Sequence, residues 1–211
     1  MNVFENKEIA QKYDDYYQTE MGVKIDNLEK KLIKSLLPLP HLYPLALEAG
    51  CGTGHWTAFL SELGYHLTAV DISDAMLEIA KTKQIKHTQF IKADIQKLPF
   101  DNEQFDLVIS ITMLEFVSNI EQAIQEMYRV LKPNGWLVLG CLNLLSPLGK
   151  NKANDSTFKD AHFFTKEELH QILSKWGKSI IKETIFFDDE FRLLEQGSEG
   201  AFLAVSIQKT K

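Results

Sequence analysis

Short apolar segments alternate with segments of helical periodicity through the middle of the chain. The apolar segments predict strands at 45–49, 67–70, 89–91, 105–110 and 136–141. A stretch of helical periodicity follows the first strand, and its apolar residues are Trp56, Phe59, Leu60 and Leu63. Gly64 comes directly after this stretch, at a position that favours a helix C-terminus. Further helices are predicted after Ser73 and over 120–131. Because strands alternate with helices, the pattern predicts a parallel α/β sheet.

The N-terminal part of the chain departs from this alternation. The residues before Tyr43 predict two helices, the second of which carries Leu28, Leu32 and Leu36 on one face. This helix is expected to end at the Leu-Pro-Leu-Pro segment over 37–40, because a proline disfavours helix in the residue before it.

The C-terminal part is polar at first and β-rich at its end. The stretch 150–160 is rich in Lys, Asn and Asp and predicts a mobile loop. Thr165 then begins a capping-box pattern for a helix that is expected to end near Gly177. The segments 179–187 and 200–207 are expected to pair as an antiparallel hairpin.

The pattern therefore predicts one domain over residues 1–211. Its three parts are a helical cap (1–42), a core (43–141) and a loop, helix and hairpin (142–211).

Composition narrows the function classes. The chain has 29 acidic and 23 basic residues, a net charge of −6, which argues against a general nucleic-acid or anionic-membrane surface. No apolar run approaches the roughly 18 residues that a spanning helix needs. Cys51 and Cys141 are too few for a disulfide framework, and the first residues lack the apolar segment of a secretory signal. We expect a cytoplasmic protein without membrane insertion and without a metal site.

The segment Glu48-Ala49-Gly50-Cys51-Gly52-Thr53-Gly54 is the most informative part of the chain. It follows an apolar strand and precedes a helical stretch, so it predicts a tight turn whose bare main chain lies against a ligand. A side chain at any of the three glycines is expected to stand between the main chain and that ligand. The spacing E-x-G-x-G-x-G differs from the dinucleotide fingerprint G-x-G-x-x-G.

Two aspartates follow the next two predicted strands. Asp71 ends the second strand, where an acidic residue commonly accepts hydrogen bonds from ribose hydroxyls; its alternative role is that of a helix-capping or surface residue. Asp94 follows the third strand and could accept from an adenine amino group, with Ile72 and Ile95 against the ring faces. Taken alone, Asp94 is an ordinary loop carboxylate.

Five motifs together resemble the class I S-adenosylmethionine-dependent methyltransferases, most closely the type 11 group that includes quinone-biosynthesis C-methyltransferases. The resemblance covers about residues 7–139. The motifs occur in the family's order and are Leu47-Glu48-Ala49-Gly50-Cys51-Gly52-Thr53-Gly54, Val70-Asp71-Ile72-Ser73, Ala93-Asp94, Phe105-Asp106-Leu107-Val108 and Arg129-Val130-Leu131-Lys132-Pro133-Asn134-Gly135-Trp136.

The resemblance implies a Rossmann-like fold. Its sheet has seven mostly parallel strands in the order 3-2-1-4-5-7-6, with strand 7 antiparallel, helices on both faces and an N-terminal helical cap. It also implies S-adenosyl-L-methionine as the cofactor and a small-molecule methyl acceptor, with no nucleic-acid partner.

By the same resemblance, the methionine part of the cofactor would contact the glycine turn, Glu48 and Thr112. Asp71 would bind the ribose, and Asp94 would read the adenine edge. The complete set of implied cofactor-binding residues is Tyr17, Glu48, Gly50, Cys51, Gly52, Gly54, Asp71, Ile72, Met76, Asp94, Ile95 and Thr112. Tyr13 and Tyr17 look like the tyrosines that family members fold over the cofactor, although packing of an amphipathic helix explains them equally well.

The acceptor side is less defined. Phe116 stands where many relatives carry His, so we expect catalysis mainly by positioning and name no catalytic residue. The acceptor pocket is expected beneath the N-terminal helices and the loop 144–160, with His162 as the first candidate base. The remaining histidines, His55 among them, are expected to be helix caps or surface groups. The candidates for this pocket are Tyr17, Glu115, Asn143, His162 and Phe163.

Two other function classes stay open on the sequence. One is a regulatory protein that binds the cofactor without transferring a methyl group, because a pocket does not guarantee turnover. The other is an NAD-dependent oxidoreductase, against which stand the glycine spacing and the lack of a Tyr-x-x-x-Lys motif. The sequence leaves the acceptor, the methylated atom and the oligomeric state undefined.

Overall fold

The apolar segments of the sequence form the centre of a seven-stranded sheet. The computed structural model describes residues 3–210, so Met1, Asn2 and Lys211 of the predicted domain lie outside the described residues. The strands are β1 (Leu45–Ala49), β2 (His66–Asp71), β3 (Thr88–Lys92), β4 (Phe105–Ile111), β5 (Leu131–Leu142), β6 (Ser179–Thr184), β7 (Phe186–Phe187), β8 (Leu193–Leu194) and β9 (Phe202–Gln208).

Within the described residues, two α-helices precede β1 in the chain and five follow it. They are α1 (Lys7–Lys12), α2 (Glu20–Lys34), α3 (His55–Glu62), α4 (Asp74–Thr82), α5 (Ile120–Val130), α6 (Pro147–Asn151) and α7 (Lys166–Leu173). Short 3₁₀ turns lie at Val3–Glu5, Tyr13–Gln18, Leu114–Phe116 and Lys152–Asn154.

The strand order of the large sheet is β3-β2-β1-β4-β5-β9-β6. β1 to β5 run parallel, whereas β9 runs antiparallel to both β5 and β6. Since β9 is the seventh strand of this sheet in chain order, the predicted order 3-2-1-4-5-7-6 with an antiparallel strand 7 is confirmed. The predicted antiparallel pairing of the last two β-segments is confirmed as well, but a ribbon of β7 and β8 lies between them in the chain.

Helix termini follow the capping rules that the sequence suggests. The Ser73 side chain accepts from the Met76 amide at the start of α4, and Thr165 accepts from the Glu168 amide at the start of α7. The turn 132–135 is a bulge within β5: Leu131 pairs with Phe105 and Trp136 pairs with Leu107. The residues between them leave the ladder there, with Asn134 at φ 64°.

The elements outside the core differ from the predicted ones in detail. The predicted first helix is a chain of short helical segments, α1 and the 3₁₀ turn Tyr13–Gln18, before the long α2. The polar loop after β5 contains α6 and a further 3₁₀ turn at Lys152–Asn154. α7 ends at Leu173, before Gly177. The mobility of the loop stays a prediction.

Two apolar clusters cover the faces of the sheet. One packs α5 and α7 against it, with Ile124, Met127 and Leu169 buried. The other packs α2 and α3 on the opposite face around Leu60 and Phe202. Side chains of successive strand residues point to opposite faces, so a strand buried on both sides is largely apolar, as β4 is at all positions except Asp106 and Ser110.

Phe202→Ala should lower the free energy of unfolding by about 3–5 kcal/mol, because the ring is fully buried and its removal leaves a cavity. The ring lies against Gly140, where an added Cβ would overlap Phe202 Cζ. The matched control is Ile180→Ala on the edge strand β6, which is half exposed and should cost less than about 1 kcal/mol. Denaturant unfolding measures both, and equal losses would contradict this account of the core.

Candidate functional site

A cavity of about 260 Å³ lies at the carboxyl ends of β1, β2 and β4, beneath the N-terminal segment. Open parallel α/β sheets bind ligands in this crevice. The structure brings all but one of the predicted cofactor-binding residues together on its lining. The residues so placed are Tyr17, Glu48, Gly50, Cys51, Gly52, Asp71, Ile72, Met76, Asp94, Ile95 and Thr112.

The three glycines of the turn have different surroundings, and the expectation that each keeps a ligand path clear is wrong. Only Gly52 has open space where a Cβ would stand. A Cβ on Gly50 would overlap the Met113 side chain. At Gly54, the one predicted residue outside the lining, a Cβ would meet Ile85 and Ala80 at 3.2 and 3.3 Å. Gly52 thus opens the main chain to the cavity, whereas Gly50 and Gly54 allow protein segments to pack closely.

Asp71 stabilises the turn from the neighbouring strand. Its Oδ2 accepts from the Gly52 amide at 2.8 Å, and its Oδ1 accepts from the Ser73 amide at 2.9 Å. Burial raises the pKa of Asp71, and hydrogen bonds from backbone amides oppose this rise. A carboxylate has about four acceptor positions. Asp71 therefore fixes the turn and still has lone pairs for a ligand in the cavity.

Asp94 and its neighbours form the far end of the cavity. The Asp94 Oδ1 accepts from the Gln96 amide at 2.8 Å, which closes a local turn after β3. Ile95 is buried, whereas Ile72 keeps 41% of its surface exposed although it lines the cavity. An acidic edge between two apolar side chains suits a flat polar ring.

Glu48 lies on the cavity lining at the end of β1 and is almost fully buried. Its Oε2 has no hydrogen-bond partner among the described residues. Burial raises the pKa of Glu48 to about 8. A buried acceptor without a partner is costly, so this oxygen is suited to a cationic ligand group that the protein itself does not supply.

Thr112 lies just after β4 with φ 46°, in the left-handed region that β-branched residues rarely adopt. Its amide donates to the Gly140 carbonyl oxygen at 2.8 Å, which fixes the turn. Such strain costs on the order of 1–3 kcal/mol and is concentrated at functional sites. The turn directs the chain into Met113 and the 3₁₀ turn Leu114–Phe116, both of which help to enclose the cavity.

The N-terminal segment closes the cavity with an aromatic series. Phe4 contacts Phe116 and Tyr13 edge to face, with ring centroids 4.9 and 5.9 Å apart, and Tyr13 lies 6.1 Å from Tyr17. Tyr17 stacks on His55 at 3.6 Å. Burial raises the pKa of the Tyr17 hydroxyl well above its ordinary value, so the phenol stays neutral.

Polar contacts attach this segment to the core. The Ser73 hydroxyl donates to the Phe4 carbonyl oxygen at 2.8 Å. The Thr53 hydroxyl donates to Asp14 Oδ1 at 2.6 Å, and Lys83 pairs with Asp14 Oδ2 at 2.6 Å. The cap is therefore tied to the glycine turn and to α4.

Most acceptor-pocket candidates from the sequence lie elsewhere, and only Tyr17 lines the cavity. Glu115 is buried and its Oε1 accepts from the Leu142 amide at 2.6 Å. Asn143 is buried and donates to Glu199 and Gly200. Phe163 belongs to a separate apolar cluster. His162 does not face the cavity; it pairs with Glu168 at 2.6 Å and is half exposed. The loop after β5 packs beside the 3₁₀ turn Leu114–Phe116, where the His162 amide donates to the Glu115 carbonyl oxygen at 2.7 Å. None of these four residues lines the cavity.

His55 is the residue that sequence reasoning missed. The expectation of a cap or surface role is wrong, because its ring lines the cavity and keeps 21% of its side-chain surface exposed. Its Nε2 lies 2.7 Å from Asp26 Oδ1 on α2. The only sequence signal is its position directly after the glycine turn, and the partner 29 residues earlier cannot be found from local pattern.

Other reactive groups are inert or absent from the site. Burial raises the pKa of both cysteine thiols well above the ordinary value, so Cys51 contributes bulk to the lining and no thiolate. Within residues 3–210 no group of three His, Cys, Asp or Glu side chains is arranged to hold a metal ion. No helix in this range is long and apolar enough to cross a membrane.

Comparisons with known proteins agree with this geometry. Residues 47–139 match the family model described as a methyltransferase domain. An uncharacterized protein of Methanocaldococcus jannaschii is 33% identical, with 99% of this chain and all of that protein aligned. Malonyl-[acyl-carrier protein] O-methyltransferase of Salmonella typhimurium is 31% identical over 68% of this chain, but the match spans only 59% of that enzyme.

A solved structure from Thermotoga maritima is similar along nearly the whole chain. It is described as an S-adenosylmethionine-dependent methyltransferase and a possible histamine N-methyltransferase. It superposes with a TM-score of 0.78 at 27% identity, covering 97% of this chain and 98% of that one.

The free energy of unfolding without ligand should fall as pH rises from about 5 to 8. Burial raises the pKa of Glu115 to about 7 from an ordinary 4.5, so the folded protein holds a proton that the unfolded chain releases. The stability is full below the unfolded pKa and is lost as pH rises through the folded one. Glu115→Gln should flatten the profile by on the order of 2 kcal/mol, whereas exposed Glu62→Gln should not.

Urea titrations at several pH values measure these profiles. A profile as steep in Glu115→Gln as in the parent chain would contradict the assigned cause.

Proposed function

The chain belongs to the class I S-adenosylmethionine-dependent methyltransferases of the type 11 group, and from this premise we propose that it methylates a small-molecule acceptor by in-line displacement. The observation that carries the proposal is a row of carboxylates from adjacent strands on a cavity whose lining, among residues 3–210, contains no Lys or Arg. The row consists of Glu48, Asp71 and Asp94.

These residues fit the groups of the cofactor. The unpartnered Glu48 oxygen suits the ammonium, and Asp71 suits the ribose hydroxyls. Asp94, Ile95 and Ile72 suit the adenine. The open main chain at Gly52 and the N-terminus of α3 suit the carboxylate, because amide groups there point outward with partial positive charge.

The remaining predicted residues complete the binding surface that we propose. Met76 packs under the adenine end beside Phe4 and Tyr13. Thr112 and Cys51 lie at the methionine end, and Tyr17 covers the site. Gly54 acts indirectly, since it allows α3 to begin close to α4 and β3.

When bound, S-adenosylmethionine supplies a methyl group that is already electrophilic because it is attached to a sulfonium. The protein therefore has mainly to hold the acceptor in line and to exclude water. Proximity and orientation can contribute about 7–11 kcal/mol. The aromatic cap and the Met113 turn provide apolar walls for this purpose. The sulfonium loses its positive charge during the transfer, and a water-poor site favours this loss.

Neither alternative class finds support. The matching family model and the Thermotoga maritima structure are those of methyltransferases, which does not favour an NAD-dependent oxidoreductase or a silent binder. Malonyl-[acyl-carrier protein] and histamine, as the relatives' names give them, differ in charge. The cavity favours an uncharged or cationic acceptor, because Lys30 and Lys83 nearby are already paired with Asp26 and Asp14.

We also propose that the chain forms one domain with three parts, a cap (1–42), a core (43–141) and a C-terminal part (142–211). A cytoplasmic location is likewise proposed from the charge and cysteine content of the chain.

The direct test is methyl transfer itself. Purified protein is incubated with S-adenosylmethionine and amines, phenols, quinones or carboxylic acids, and S-adenosylhomocysteine release is measured by mass spectrometry. We expect release that depends on an acceptor. Calorimetry with S-adenosylhomocysteine and NAD provides the control, and NAD binding without a response to the sulfonium ligand or its product would overturn the proposal.

Asp71→Ala should weaken S-adenosylhomocysteine binding at least tenfold, about 1.4 kcal/mol. It removes both the ribose acceptor and the hydrogen bond to the Gly52 amide. Asp74→Ala is the control, because Asp74 lies on the same strand–helix connection but is exposed and paired with Lys92. Calorimetry gives both dissociation constants, and circular dichroism verifies folding. An unchanged constant in Asp71→Ala would refute the assignment.

A further inference from the structure

The segment over residues 3–15, which we call the lid, has little apolar burial of its own. Within residues 7–15, Ala10 is the only side chain that is buried. The apolar contacts of the lid form a small cluster around Ala10 and Met76, apart from the two clusters that cover the sheet. Helical segments as short as those of the lid are marginal in isolation. The lid therefore depends on its contacts with the rest of the chain.

The residues that follow the lid are attached to α2. The Tyr16 carbonyl oxygen accepts from the Thr19 hydroxyl at 2.8 Å, directly before α2 begins. Tyr17 stacks on His55, whose Nε2 lies 2.7 Å from Asp26 Oδ1 on α2. α2 itself packs on the sheet through its buried face. The lid is thus a weakly held segment that is joined at Tyr16 to a firmly packed helix.

Asp14 joins the lid to the glycine turn and to the end of α4 at once. Its Oδ1 accepts from the Thr53 hydroxyl at 2.6 Å, and its Oδ2 pairs with Lys83 Nζ at 2.6 Å. Lys83 Nζ also lies 3.4 Å from the Thr53 hydroxyl oxygen, so the three groups form a closed triangle. Thr53 is fully buried. Hydrogen bonds to a charged group, as in this triangle, are stronger than neutral ones.

The other polar contacts of the lid are weaker. The Ser73 hydroxyl donates to the Phe4 carbonyl oxygen at 2.8 Å, which is a hydrogen bond between neutral groups. Lys7 lies 3.9 Å from Glu78, and both side chains are largely exposed, so this pair contributes little. Among the described polar contacts, the Asp14 triangle is therefore the one whose loss should release the lid most.

The lid covers the end of the cavity that we assign to the adenine. Phe4 and Tyr13 line the cavity and pack with Met76. Asp14 is the chain neighbour of Tyr13 but does not line the cavity. Asp14 can therefore hold an aromatic ring over a ligand without touching the ligand itself.

We propose that residues 3–15 open and close over the cofactor site and that Asp14 is the positioning residue that latches them. The cofactor and its demethylated product exchange when the contacts of Asp14 with Thr53 and Lys83 break and the lid turns away from α4. This inference rests on the proposed function, since it concerns the exchange of S-adenosylmethionine and S-adenosylhomocysteine.

A latch has a kinetic signature that a binding residue lacks. The contacts of Asp14 stabilise the closed lid to the same extent with and without ligand, because Asp14 does not line the cavity. Breaking them raises the open population by one factor in both states. Association and dissociation of the ligand then accelerate together, and the dissociation constant stays the same. Loss of a residue that binds the ligand changes the dissociation constant instead.

Stopped-flow fluorescence with S-adenosylhomocysteine measures both rate constants. Asp14→Asn and Lys83→Met should each raise both of them about fivefold, because each breaks the same ion pair. The double variant should be no faster than either single one, since the two residues act as a unit. The two substitutions change the net charge in opposite directions, so equal effects exclude long-range attraction of the ligand as their cause.

Asp15→Asn is the matched control, because it makes the same change at the next position, where the side chain is exposed. It should leave both rate constants within twofold of the parent. Faster dissociation without faster association, unchanged rates in both Asp14→Asn and Lys83→Met, or an equal response in Asp15→Asn would overturn the latch. A parent chain that does not bind S-adenosylhomocysteine would refute the proposed function.

Hydrogen exchange followed by mass spectrometry tests the lid without a ligand. In the parent chain, amides of residues 3–15 should exchange faster than those of α2, because the lid opens while α2 stays packed. Asp14→Asn and Lys83→Met should accelerate exchange in the lid and leave α2 unchanged. Exchange of the lid and α2 at one common rate in the parent chain would contradict a lid that opens by itself.

Discussion

The turn after β1 is the constraint on which the site depends. Gly52 has no side chain, so the main chain stays open to the cavity at this position. The Asp71 carboxylate at the end of the next strand accepts from the Gly52 amide at 2.8 Å. The same carboxylate holds the start of α4 through Ser73. The Asp71 carboxylate therefore fixes the connections that follow both β1 and β2. Because these two strands pair in parallel, their pairing sets the geometry of the cavity.

The N-terminal segment converts this open crevice into an enclosed site. Its contacts come from sequence-distant residues: Ser73 with Phe4, Thr53 with Asp14, and His55 with Asp26. Each joins the cap to an element that begins at the carboxyl edge of the sheet. Since burial strengthens such polar contacts, the cap both excludes water and holds His55 in place on the cavity lining.

Charge determines what the enclosed site can hold. Glu48, Asp71 and Asp94 face inward, and the nearby lysines are neutralised by aspartates of the cap. Burial raises the pKa of Glu48 to about 8 and of Glu115 to about 7. Glu48 lies on the cavity lining, where a cationic ligand group can compensate the charge of its carboxylate. Glu115 lies behind the lining, where its Oε1 accepts from the Leu142 amide, and its raised pKa makes the stability depend on pH.

The sequence by itself determined the parallel α/β pattern, the glycine turn and the row of carboxylates, which follow from local periodicity and from the rule that parallel strands end at one edge. The order of the strands was implied by the resemblance of the five motifs to the methyltransferase family. Only the tertiary structure decided which glycine faces the cavity, that His162 lies outside it, and that His55 meets Asp26. Such contacts join residues far apart in the chain, and their distances depend on how the cap and the loop after β5 pack on the sheet.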